Sequence, residues 1–197
     1  MSFRSSAAGA GLVLLALAGC GSDPAPQQQP QTPASPPAPS PAAQRPRDLP
    51  IAGVDPCSLF TQQQLDELKV TRKPKQLEAD DQRDGPTCSL GVSVGQPHYT
   101  YYVELIADAD LQDWVSGRHA ENSMTSEPAD VAGYPALTRF ARGESPSDCE
   151  TMVGVAQGQT LRSQMYPVTQ GVFDQKQLCD MAKQAATAAV RTLEAKG

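Results

Sequence analysis

Five cysteines and two histidines are the side chains with the most chemistry to offer in this 197-residue sequence, and their spacing limits what that chemistry can be. Cys57, Cys88, Cys149 and Cys179 contain no Cys-x-x-Cys pair, so a zinc ribbon or a thioredoxin-type dithiol is not expected. His98 and His119 could each act as a base, but no serine or cysteine nucleophile stands beside either, and both read as surface residues, one at a hairpin turn and one on a helix flank. The acidic run Glu78-Ala-Asp80-Asp81-Gln-Arg-Asp84-Gly85 lacks the alternate oxygen ligands, central glycine and distal glutamate of a calcium loop, and reads as a solvated loop. Tyr99, Tyr101 and Tyr102, with Trp114 nearby in sequence, are the candidate binding face, because amphipathic aromatic rings suit carbohydrate or peptide contact. Strand alternation sets a limit on that face, since it puts Tyr101 with Tyr99 and Val103 and turns Tyr102 to the other side. No catalytic grouping, metal site or cofactor is expected.

The fifth cysteine has a different context. Arg4 supplies a basic start, Ala7 to Ala18 form an apolar run, and Leu17-Ala18-Gly19-Cys20 closes it with small residues, the order of an export signal. The run is too short for a spanning helix, which needs about 20 apolar residues. Leu-Ala-Gly-Cys at this place resembles the lipobox of bacterial lipoproteins, in which the signal is cut before the cysteine and the thiol carries a diacylglycerol. The expectation is therefore a signal peptide over residues 1–19, a lipidated Cys20 and a location outside the cytoplasm, anchored to the cell membrane by lipid. At about 0.8 kcal/mol per buried methylene, two acyl chains give the stable attachment that one does not.

From Cys20 to Pro50 the chain is mostly Pro, Gln, Ala and Ser with no aromatic residue, a composition that cannot offset its own ordering entropy and predicts a disordered tether. Its prolines favour extended polyproline II at about 3.1 Å per residue, a reach of roughly 80 Å. Thr32, Ser35 and Ser40 among the prolines suit an O-glycosylated stalk as well as an unmodified spacer.

Residues 51–197 have the composition and length of one globular domain. They carry 13 Lys and Arg against 20 Asp and Glu, net −7, without a block of like charge, which argues against nucleic acid and against direct binding to anionic lipid. An even number of cysteines in an exported domain reads as two disulfides, and four cysteines allow three pairings. Sequential pairing, Cys57 with Cys88 and Cys149 with Cys179, is the expectation, each closing a loop of about 30 residues for roughly 3 to 4 kcal/mol.

The elements that must position these residues follow from pattern. Thr61 and Gln64 form a capping box for a short helix bearing Leu65 and Leu68. "TCSLGVSV" and "YTYYVELI" read as a hairpin across Gly95-Gln96-Pro97. Asp110 caps a predicted helix running to about Asn122, with Leu111, Trp114 and Val115 inward. "ALTRFA", "CETMVGVA" and "QTLRSQMY" read as strands, the last two joined at Gln157-Gly158. The strongest helix closes the chain, with Leu178, Ala182, Ala185, Ala189 and Leu193 on one face. This order predicts an α+β domain with helices packed on an antiparallel sheet and stapled by two disulfides.

Val54-Asp55-Pro56-Cys57 with Leu59, Cys88 in the first strand of the hairpin, the turn Val131-Ala132-Gly133-Tyr134-Pro135-Ala136, Cys149 at a later strand and Cys179-Asp180-Met181-Ala182 opening an Ala-rich helix together resemble the domain of unknown function 3558. That family consists of actinobacterial secreted proteins and lipoproteins, and the resemblance covers nearly all of Ile51 to Glu194. Its members commonly place tryptophan two positions after the second cysteine, where this chain has Leu90. The overall look is also similar to the Mog1/PsbP-like α+β sandwiches and to extracytoplasmic sensor domains of membrane kinases, which are fold-level analogies. The resemblance implies no reaction. The expected function is that of a non-enzymatic, lipid-anchored binding or accessory module whose partner is an envelope protein, a cell-wall component or a small ligand. An envelope hydrolase using carboxylates or His119 and a purely structural surface lipoprotein are the alternatives.

Overall fold

The computed structural model describes residues 45–143 and 145–197. The expected signal peptide, Cys20 and residues 20–44 of the expected tether lie outside the described residues. Among those described, no helix is long and apolar enough to cross a membrane.

Asp55 caps a 3-10 turn at Pro56–Leu59, and Thr61 with Gln64 closes the expected capping box on helix α1, Gln62–Glu67. Strand β1 (Lys75–Leu77) leads into β2 (Thr87–Val92) and β3 (Tyr99–Ile106), the expected hairpin. A short helix α2 (Leu111–Val115) then carries the chain to β4 (Met124–Val131), β5 (Tyr134–Ala141), β6 (Cys149–Ala156) and β7 (Gln159–Pro167) before the long helix α3 (Gln175–Lys196). The strands form one antiparallel sheet in the order β1-β2-β3-β7-β6-β5-β4, so β7 returns to pair with β3 and joins the first hairpin to the later meander. The expected α+β class, with helices on an antiparallel sheet, is what the structure shows.

One face of the sheet is closed by α3. Leu178, Ala182, Ala185, Ala186, Ala189, Val190 and Leu193 are all buried, and the alanines let the helix backbone come close to Tyr101, Val103, Val153, Leu161 and Met165 in one core. Leu90, which stands at the family's tryptophan position, is fully buried in this core. Both expected bridges are present: Cys57–Cys88 ties the 3-10 turn to β2, and Cys149–Cys179 ties β6 to α3.

Three expectations need correction. The ordered domain begins before residue 51: Leu49 is buried and its N–H donates to the Val155 carbonyl at 2.8 Å, so the final residues assigned to the tether belong to the fold. Helix α2 stops at Val115 instead of about Asn122, because Ser116-Gly117 turns the chain back and the His119 N–H donates to the Asp113 carbonyl at 3.0 Å; Val115 is consequently half exposed rather than inward. Two strands, β1 and β4, had no sequence pattern to announce them. Both are sheet edges: β1 has three residues, and β4 is largely exposed with Pro128 inside it, which an edge strand tolerates.

Candidate functional site

Strand alternation gives the face opposite α3 a different composition. One row across β2, β3, β7, β6 and β5 reads Ser89, Tyr102, Gln164, Glu150, Arg139, each residue paired in register with the next. The neighbouring row reads Thr87, Glu104, Arg162, Met152, Leu137. Each of the four central strands therefore contributes one ionic side chain to this face, and the signs alternate along the strand order: Glu104, Arg162, Glu150, Arg139.

Glu104, Glu150 and Arg139 are buried, Arg162 is partly so, and the four close on one another. Arg162 reaches Glu104 at 2.5 Å and Glu150 at 3.6 Å, and Arg139 donates to Glu150 at 3.2 Å. Arg139 also approaches Glu121 at 3.5 Å, and its guanidinium lies 5.1 Å from the centroid of the Trp114 ring. Gly85 completes the array from the loop before β2. Its N–H donates to Glu104 at 2.8 Å, and a Cβ there would run into the Leu105 carbonyl, so only glycine lets the backbone come that near. Burial pushes the carboxyls of Glu104 and Glu150 above the ordinary range, while Arg162 pulls both back down. Desolvation is the larger effect in each case.

The face divides into two parts. Helix α2 roofs one part, where Trp114 packs with Ile106, Ala109 and Met152 in a small second core. The other part is an open groove of about 480 Å³, lined by Gln82, Arg83, Tyr102, Glu150, Arg162, Gln164 and Tyr166. Tyr102 and Tyr166 stand diagonally on its floor, since Tyr102 pairs with Gln164 and Tyr166 with Thr100. Tyr166 is 44% exposed. Arg83 at the rim is tied to Asp80, and Gln164 donates to Asp148 at 2.6 Å.

The four aromatic residues expected to share a binding face do not share one. Tyr99 and Tyr101 point to the α3 side and are nearly buried, meeting edge to face with ring centroids 5.5 Å apart, and Tyr99 meets Phe173 in the same way. With Leu68 and Met181 they line a small cleft of about 320 Å³. Burial raises both phenols, Tyr101 the more strongly. Tyr102 alone of the four lines the open groove, and Trp114 is buried on the inner side of α2. The period of two explains the split of the tyrosines.

His98 lies at the hairpin turn as expected, its N–H donating to Thr169 at 2.9 Å. His119 is not the free surface residue expected. It stacks on Trp114 with centroids 4.4 Å apart, and its Nδ1 sits 3.8 Å from Asp84. The early end of α2 folds it back onto the indole. The acidic run stays exposed apart from the half-buried Arg83 and the buried Gly85, with Asp80 and Arg83 pairing across a tight turn, and among the described residues no cluster of three metal-ligating side chains occurs. Sequence reasoning missed the ionic array, although its signal was present: one charged residue inside each of four apolar strands, at the position of the period that faces away from the core.

A family model described as "Protein of unknown function (DUF3558)" matches residues 15–192. The chain belongs to the DUF3558 family. No curated protein and no solved structure matches it. For this DUF3558 chain the matched residues take in Cys20, all four bridged cysteines and every residue of the open groove.

Proposed function

We propose that the protein is a cell-envelope lipoprotein, anchored outside the membrane through a diacylglyceryl group on Cys20, whose domain is a non-catalytic binding or accessory module. The order of basic start, apolar run and Leu-Ala-Gly-Cys supports the anchor, and the two bridges suit an oxidising compartment. The observation that carries the binding reading is the open groove on the sheet face opposite α3, in which Arg162 and Glu150 are held by each other and by buried partners. Side chains fixed in this way present a prearranged polar surface, the property a binding site needs. The groove, the membrane anchor and an envelope partner or ligand belong to one arrangement, in which the tether holds the groove away from the lipid surface.

Membrane fractionation of cells producing the native chain and a Cys20→Ala form tests the anchor. The native chain is expected in the membrane fraction with a mass that includes the lipid, and the variant unprocessed or released. Identical fractionation of the two refutes the anchor. Crosslinking on intact cells from a photoreactive residue at position 164 tests the module, with a specific adduct expected from the groove and none from the same probe at Lys183 on α3.

One feature favours the hydrolase alternative enough to name its test. Glu150 is buried, lines the groove and is raised above the ordinary carboxyl range, as a general acid would be. Turnover of an ester or cell-wall substrate that disappears in Glu150→Gln, with the fold intact, would replace the binding reading by that one.

A further inference from the structure

The groove on the open sheet face has a composition that selects among ligand classes. Its charges are spent internally: Arg162 is shared by Glu104 and Glu150, Glu150 is also held by Arg139, and Arg83 by Asp80. A free anion or cation would find no uncompensated charge of opposite sign among these lining residues, and entering would mean breaking an existing pair. What stays available is planar and polar. Gln82 and Gln164 offer amides, the guanidinium of Arg162 and the carboxylate of Glu150 carry additional donor and acceptor sites, and Tyr102 and Tyr166 supply ring faces.

We propose that this groove binds a neutral oligosaccharide, with sugar rings against Tyr102 and Tyr166 and hydroxyl pairs bridged by Gln164, Gln82, Arg162 and Glu150. Adjacent hydroxyls on a sugar ring act as donor and acceptor side by side, and amide, guanidinium and carboxylate planes match that pattern in two bonds at once. The C–H faces of the ring suit an aromatic surface that is apolar on its face and polar at its tip. Tyr166 already projects from the groove floor, 44% exposed, as a stacking platform does. Glu150, more than nine-tenths buried, is an acceptor fixed in place by two arginines. The groove, at about 480 Å³, has room for two to three sugar units.

The proposal rests on the binding reading of the same groove, and the test separates the two. The full mature chain, purified in detergent, is examined by saturation-transfer NMR and calorimetry. The probes are neutral hexasaccharides of glucose, mannose, galactose and N-acetylglucosamine, with a hexagalacturonate and an uncharged Gly/Ser/Ala heptapeptide as comparators. At least one neutral hexasaccharide is expected to bind, with Kd between about 10 μM and 1 mM, while the acidic sugar and the peptide do not. Tyr166→Ala is expected to weaken binding about tenfold, Gln164→Ala to weaken it as well, and Val168→Ser to leave it unchanged, with unaltered circular dichroism in all three. Binding of the peptide or the acidic sugar in a Tyr166-dependent way, with no neutral sugar bound, overturns the saccharide assignment and keeps the binding reading. Neutral-sugar binding unaffected by Tyr166→Ala and Gln164→Ala moves the site elsewhere and overturns the proposal. No binding by any probe at about 10 mM, together with no crosslink from position 164, overturns both.

Discussion

Replacing Arg162 with methionine removes the one cation that Glu104 and Glu150 share while keeping most of the side-chain volume. In the native fold Glu104 is fully buried, Glu150 nearly so, and Arg162 sits between them at 2.5 and 3.6 Å. Breaking a buried pair by deleting one partner typically costs about 3 to 5 kcal/mol, since the surviving charge is desolvated and unpaired. Glu104 retains only backbone hydrogen bonds, from Gly85 and Asp84, among the groups that favour its charged form, and the Asp84 carboxylate opposes them, whereas Glu150 keeps the Arg139 cation. The expected loss at pH 7.5 is therefore about 3 kcal/mol, most of it from Glu104. The pH dependence carries the sharper test. Both carboxyls already have folded-state values raised above the unfolded value of about 4.3, so the stability they contribute is fully present below that value and is lost as pH rises through the folded values. Deleting the cation that holds the folded values down raises them further and widens that window upward. Urea unfolding with the disulfides intact, at pH 5 and pH 7.5, should show the variant regaining more than about 1 kcal/mol relative to native at pH 5. Arg162→Met with Glu104→Gln should recover much of the loss at pH 7.5. A loss under about 1 kcal/mol at pH 7.5, or one independent of pH, would refute the reasoning.

Three further perturbations follow from particular positions. Gly85→Ala forces a methyl into the Leu105 carbonyl and displaces the N–H that Glu104 accepts from, so it should cost about 2 kcal/mol or more in urea unfolding. Ala132 occupies the left-handed region at φ 54 in the β4–β5 turn, beside Gly133 at φ 86, and Ala132→Gly is expected to raise stability by about 0.5 to 1 kcal/mol, read as a higher midpoint of thermal unfolding. Cys149→Ser with Cys179→Ser opens a closure spanning 30 positions between β6 and α3 and should lower stability by about 3 kcal/mol, with helical circular dichroism lost at the lower midpoint.

How much of this was legible in the sequence depends on where each signal resides. The capping box of α1, the β2–β3 hairpin and the small-residue face of α3 are local patterns, and each announces its element. Sequential pairing of the cysteines is the expectation and is what the structure forms, although the spacing alone leaves three pairings open. Strand β4 was not legible, because an edge strand buries little and its alternation is interrupted by Pro128. Helix α2 ran too long in the sequence reading for the opposite reason: the cap at Asp110 is strong, but nothing in "VSGRHAEN" except Gly117 signals that the chain returns to stack His119 on Trp114. The candidate site was the least legible part. Of the groove's lining residues the sequence singles out only Tyr102 as a binding candidate, and the ionic array beneath it, Glu104, Arg162, Glu150 and Arg139 from four strands, alternates in sign only once β7 is known to lie between β3 and β6.

That alternation bears on why the face is charged at all. A row of buried ion pairs is a weak route to stability, since apolar residues of similar volume commonly do as well or better. The adjoining part of the same face does use the apolar solution, with Trp114, Ile106 and Met152 under α2. The charged half therefore differs from its neighbour by more than a requirement for cover. One effect of the ion pairs is on register: each links adjacent or diagonal positions of neighbouring strands, and a two-residue slip of β6 against β7 that sets Glu150 opposite Tyr166 would move it away from Arg162, while Cys149–Cys179 resists a slip in either direction. Register alone does not call for an open groove, because the bridge and the α3 core already fix it. A flat, internally neutral polar floor with one half left uncovered is what a surface needs in order to meet a polar, uncharged ligand without first giving up its own hydrogen bonds.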